Sequence, residues 1–199
     1  MEDILDVYTR KYDENCVLIC MDEVPRQLIE ETRKPVPAGR GKIIRFNTEY
    51  KRNGTCDFFM FFAPLEGWRR ADVTEQRTRL DWAHQVKKLL TVDFPDVEKI
   101  VLVMDNLNTH SIGSLYKAFP PEEAKQYRER LEIHYTPKHG SWLNMAEIEI
   151  NVLVNHGLNK RIPTEPVPKR EPLVRVVLEQ ALAVFRASPR TKVRQNCVF

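Results

Sequence analysis

The sequence predicts an α/β fold, a mixed sheet with helices on both faces. Three observations carry that expectation. Two short runs, CVLICMDE (Cys16–Glu23) and KIVLVMD (Lys99–Asp105), are apolar almost throughout, as strands covered on both sides are. Helical spacing recurs between and after them. Strand-like runs come first and a strand–helix alternation follows, an order that suits a mixed sheet.

The elements follow in chain order. Met1–Tyr12 reads as a short amphipathic helix with Ile4, Leu5 and Tyr8 on one face. Cys16–Glu23 is the first strand. Arg33–Lys42 is basic, with two prolines and two glycines, and reads as a loop. Asn53-Gly54 stands between two strand-like runs and offers the positive φ angles of a tight turn. A hairpin of Ile43–Lys51 with Thr55–Phe62 is expected there. Glu75–Leu90 has a helical repeat through Leu80, Ala83, Val86, Lys87 and Leu90. Lys99–Asp105 is a strand. Ser111–Arg130 should form two helical pieces broken at Pro120-Pro121, and Leu131–Pro137 a short strand. A helix capped by Ser141 should then run to about Asn155. Residues 1–162 are expected to form one domain. Residues 163–199 are expected to be a proline-rich basic tail with one helix at Leu173–Ala187. From Lys169 onward that tail holds seven bases against two acids, which reads first as a solvated face and second as a DNA contact.

Composition narrows the class. The 199 residues are 42% hydrophobic and 30% charged, as in a globular chain, with a net charge of +3 that permits a nucleic-acid partner without requiring one. No apolar run approaches the roughly 20 residues of a membrane span. The acidic N-terminus lacks a secretory pattern, so a cytoplasmic location is expected. Cys16, Cys20, Cys56 and Cys197 form no C-x-x-C pair and read as reduced thiols.

The chemistry lies in the acids. Both apolar strands end in one: Asp22 and Asp105. As parallel neighbours they would present their carboxylates at the sheet edge where open α/β sheets bind ligands. Two buried carboxylates repel each other and resist ionisation unless a cation compensates them. Magnesium, which takes a few carboxylate oxygens and leaves room for phosphate, would do so. Glu147 supplies a third acid, at the edge of the helical stripe Leu143, Ala146, Ile150, Leu153 and Val154. Glu149 lies about 200° further round the helix and cannot serve the same site. Each acid alone has a plainer reading, Asp105 as a turn former and Glu147 as a salt-bridge partner. The trio together favours a site.

The blocks MDNLNTH and HYTPKHGSWLNMAEIEI resemble the catalytic core of transposases of the bacterial insertion sequence 630 family, relatives of the mariner elements. The matching positions are Asp22-Glu23, then Asp105-Asn106 with His110, then Pro137, Ser141, Leu143-Asn144 and Glu147. The resemblance implies a ribonuclease-H-like fold and a DDE-type endonuclease. In that class Asp22, Asp105 and Glu147 hold two Mg2+ (or Mn2+) ions for in-line displacement at phosphorus. It implies DNA as partner, both transposon ends and target, with a homodimer open to it and no membrane. Asn106, His110 and Asn144 are implied as supporting or DNA-positioning groups. Lys138 and Trp142, in the loop before the last helix, could hold a phosphate and stack on a base. The plainer reading of Trp142 is a partly buried anchor for the helix start. The loop Arg33–Lys42 and Arg69-Arg70 are further candidates for DNA backbone contact.

The sequence departs from the pattern in three places. The interval from Asp105 to Glu147 is longer than in mariner relatives, owing to the helical insert at Pro120-Pro121. The chain begins where the catalytic domain begins, so a truncated protein without its end-recognition region is expected. The tail after Arg161 lacks the family's usual ending. Two alternatives therefore stand beside a transposase catalytic domain: a non-catalytic DNA-binding remnant, and another ribonuclease-H-like nuclease.

Overall fold

The computed structural model describes residues 1–155 apart from 34, 35, 44 and 46–48. The end of the expected domain at 162, the tail 163–199 and its helix lie outside the described residues.

Ten elements follow one another: α1 (Glu2–Thr9), β1 (Cys16–Glu31), β2 (Tyr50–Ala63), β3 (Trp68–Thr74), α2 (Arg79–Lys88), β4 (Lys99–Met104), α3 (Ile112–Ala118), α4 (Pro121–Glu129), β5 (Leu131–Tyr135) and α5 (Ala146–Leu153). The strands form one sheet in the order β3-β2-β1-β4-β5. β1, β2 and β3 make an antiparallel meander, and β4 and β5 join β1 in parallel.

Strand parity divides the core in two. Val17, Ile19 and Met21 of β1, Phe59 and Phe61 of β2, and Ile100, Leu102 and Met104 of β4 pack under Trp82, Val86 and Leu90 of the α2 segment, with Leu115 and Tyr127 from α3 and α4. The alternate residues, Leu18, Cys20, Phe58, Met60, Val101 and Val103, pack under Ile4 and Val7 of α1 and Ala146 and Leu153 of α5. Both layers are covered, which explains why β1, β2 and β4 read as continuous apolar runs. Each fully buried side chain of this size contributes about 1.5–3 kcal/mol.

Sequence expectation and structure part at four points. Asn53-Gly54 makes no hairpin turn, and β2 runs straight through it. The register moves from Gln27↔Thr55 to Ile29↔Arg52, so these two residues face one on β1. Gly54 spends its φ of +95° on this bulge. The first strand is accordingly longer than expected, and its true hairpin partner begins at Tyr50. β3 was not expected as a strand at all. α2 starts only at Arg79, behind a reciprocal cap in which Asp81 N donates to Thr78 Oγ1 and Thr78 N donates to Asp81 Oδ2. Finally, Ser141 does not cap the last helix. It opens a single 3-10 turn, Ser141–Leu143, and α5 begins at Ala146.

Candidate active site

β1 and β4 pair in parallel through Cys20↔Val103. Carried two residues past its last pair, that register points Asp22 toward Asp105, just beyond the end of β4, and the charge of Asp105 does reach Asp22. Asp22 continues the parity of Leu18 and Cys20 in the α1/α5 layer, and Asp105 follows Met104 at the end of β4. α5 lies on that layer, with Glu147 in its first turn.

A buried asparagine brings Glu147 to the strand ends. Asn144 Nδ2 donates to the Met21 carbonyl at 2.7 Å, and its Oδ1 accepts from Ala146 N at 3.2 Å. One side chain thus ties the residue before Asp22 to the first amide of α5. From the other side, the Tyr8 hydroxyl of α1 donates to the Leu143 carbonyl at 2.7 Å.

The charges of Asp105 and Glu147 both reach Asp22. Asp22 is pushed up to about 6, first by burial, then by the negative charges of Asp105, Glu147 and Glu23; the Glu23 amide, donating to Asp22 Oδ1 at 2.8 Å, opposes this. Asp105 goes the other way. The hydrogen bond from His110 holds it below the usual carboxylate range, against partial burial. His110 Nδ1 lies 2.7 Å from Asp105 Oδ1, and its Nε2 lies 2.9 Å from Glu23 Oε1. Burial alone would lower the pKa of this imidazole, but the two carboxylates overcome it and push it up to about 9. At neutral pH it is therefore a cation clamped between two acids, lying near-parallel to Trp82 with ring centroids 6.1 Å apart. It fixes one oxygen of Asp105, whose carboxylate also accepts from the Leu107 backbone.

The remaining site expectations divide sharply. His110 is 2% exposed and Asn144 1%, with both polar atoms of each engaged within the chain. Lys138 is exposed and Trp142 is 67% exposed, so both are open to a partner. Arg69 and Arg70 are not. Arg69 Nη1 approaches Glu149 Oε2 at 2.7 Å as a buried charge contact without hydrogen-bond alignment. Arg70 engages Asp72, Asp93 and the Gln85 carbonyl and lies over the Phe61 ring. Glu149, buried despite its pairing, is pushed up by that burial. Sequence reasoning missed Glu23 as the second anchor of His110. Its signal was the acid pair itself, since the residue after Asp22 must face the opposite layer.

Among the described residues no three His, Cys, Asp or Glu side chains are drawn together closely enough to hold a metal ion as they stand. The donor chemistry nevertheless fits a hard divalent cation. Asp22, Asp105 and Glu147 offer oxygen ligands, and the raised pKa of Asp22 marks negative charge that its neighbours do not neutralise. No described helix is long and apolar enough to cross a membrane.

A five-stranded mixed sheet in this order, helices on both faces and acids at the ends of adjacent parallel strands, defines a ribonuclease-H-like domain. The chain belongs to the DDE superfamily endonuclease family, whose pattern matches residues 17–166. No curated protein matches it. Solved structures share its fold, two of them as follows. The crystal structure of the Mos1 mariner paired end complex with Mn matches at a TM-score of 0.53 and 12% identity, over 92% of this chain and 56% of that one. The Mos1 strand transfer complex matches at 0.52 and 11%, over the same shares. The chain thus spans little more than half the length of these transposase chains.

Proposed function

We propose that this chain carries the catalytic centre of a bacterial transposase of the insertion sequence 630 branch, in which Asp22, Asp105 and Glu147 bind Mg2+ or Mn2+ and act on DNA strands. The observation that supports the reading is that the parallel strands β1 and β4 lead into Asp22 and Asp105, with Asp105 and Glu147 both close enough to raise the pKa of Asp22. Bound divalent ions would polarise the attacking oxygen and stabilise the leaving one at phosphorus. The protein's own part is to hold three acids from three elements at one edge. His110 orients Asp105, and Asn144 sets the distance of α5 from β1. Exposed Lys138 and Trp142 flank the start of α5, where a phosphate and a base could be held. In this reading the partners are transposon-end and target DNA, the active assembly is a homodimer, the location is the cytoplasm and the catalytic domain extends to about residue 162.

The test is metal-dependent nicking of supercoiled DNA. Wild type should nick with Mg2+ or Mn2+, and Asp105→Asn should lose that activity with its melting curve intact. Equal nicking by both proteins would refute the assignment.

A further inference from the structure

Two buried acids on the α2 side of the sheet face one half-exposed arginine. Glu23 pairs with Phe59, and Asp57 lies two residues earlier on β2, so both acids look into the layer under α2. The Glu23 side chain is 3% exposed. Its Oε1 meets His110, but its Oε2 is buried without a hydrogen-bond partner, and so is Asp57 Oδ1. A buried carboxylate oxygen left without a donor is costly. Burial pushes Asp57 up accordingly; Arg77 opposes this, while the charges of Glu23 and Asp81 add to it.

Arg77 lies within reach of both orphaned oxygens. Its Nη1 is 4.0 Å from Glu23 Oε2, and its Nε is 3.9 Å from Asp57 Oδ1. These are charge contacts, about 1 Å too long for hydrogen bonds. The backbone on either side is pinned. Thr74, which pairs with Asp57, donates from Oγ1 to the Gln76 carbonyl at 2.6 Å, and Thr78 opens the reciprocal cap of α2. The Arg77 side chain itself is 45% exposed, so its guanidinium has room to close the gap. Its rigid fork of donors suits two carboxylates at once. Its charge also reaches Asp105, where it favours the ionised form.

We propose that Arg77 is a positioning residue for the acid site. It closes onto Glu23 and Asp57 together, Glu23 holds His110 Nε2, and His110 Nδ1 holds Asp105. Without Arg77, two like charges stay buried with no cation between them, which drives Glu23 off the imidazole and lets Asp105 turn. That Asp105 binds metal rests on the functional reading above; the path from Arg77 to His110 does not. An exposed arginine could instead meet a phosphate, but two acids within 4.0 Å disfavour an anion there.

The first readout needs neither metal nor DNA. In the full chain with EDTA at neutral pH, the His110 ring N–H protons are followed by NMR and assigned by their loss in His110→Gln. Arg77→Gln should shift or broaden the Nε2–H signal, and so should Glu23→Gln. Arg79→Gln, an equal loss of charge at an exposed position two residues on, should leave the signal in place. Arg77→Lys keeps the charge and should lie between Arg77→Gln and wild type; it carries the test if Arg77→Gln folds poorly. The second readout is Mn2+ affinity by electron paramagnetic resonance. Arg77→Gln should weaken it about ten-fold. In a Glu23→Gln background the same exchange should cost less than about two-fold, because its route to Asp105 is already cut. An unmoved His110 signal would overturn the proposal, as would equal losses of Mn2+ affinity in both backgrounds. A loss confined to DNA affinity would assign Arg77 to a phosphate and overturn it too. If wild type neither binds Mn2+ nor nicks DNA, but the His110 signal still follows Arg77, the positioning role stands and the cleavage reading falls.

Discussion

Asp22→Asn should make the metal-free protein more stable while removing its response to metal. The Asp22 carboxyl rises from 3.8 to about 6 on folding. That shift, at about 1.36 kcal/mol per pKa unit, means an ionised Asp22 opposes folding by about 3 kcal/mol. The sign follows from the direction. A raised carboxyl pKa penalises the folded state above the folded value and not below the unfolded one. Stability contributed by this group therefore falls as pH rises from 4 to 6 and stays low above. Asparagine keeps an oxygen to accept from the Glu23 amide, but its NH2 needs a partner, which trims the gain to roughly 2 kcal/mol. Urea denaturation in EDTA would measure it. At pH 7.5 the variant should exceed wild type by roughly 2 kcal/mol, and the difference should close by pH 4. Added Mg2+ should stabilise wild type and leave the variant unmoved. A variant less stable than wild type at pH 7.5, or a gain that ignores pH, would refute the reasoning.

His110 works in the opposite direction. Its pKa, raised to about 9, gives stability that is complete below 6.5 and lost as pH rises through 9, so wild type should lose about 3 kcal/mol over that window while His110→Gln stays flat. Asn144→Ala should lower melting stability by about 1–3 kcal/mol, because the Met21 carbonyl loses its donor, and should reduce nicking further than stability explains. Gly140→Ala would set a methyl group 2.6 Å from Pro137 Cγ, so thermal melting should show a loss of about 1–3 kcal/mol.

Much of this architecture can be read from residue order alone, and the exceptions are instructive. The buried strands announced themselves because both faces of β1 and β4 are covered. Their shared ending in an acid followed from strand parity. β3 stayed hidden because WRRADVT carries charges where a strand should carry apolar residues. Arg69 meets Glu149 brought by α5, and Arg70 meets Asp72 of its own strand and Asp93 from the segment after α2. Asn53-Gly54 misled because a positive φ serves a bulge as well as a turn, and only the partner strand decides between them. The helix start moved from Ser141 to Ala146 because Asn144 found the Met21 carbonyl, a partner 123 positions away. His110 was expected only through the resemblance, since nothing local reveals that Glu23 meets its second nitrogen.

The most direct measurement is anomalous diffraction from crystals soaked in Mn2+. The account predicts a manganese peak bounded by the carboxylates of Asp22, Asp105 and Glu147, absent in Asp22→Asn. A well-ordered edge with no peak, or a peak held by other side chains, would contradict it.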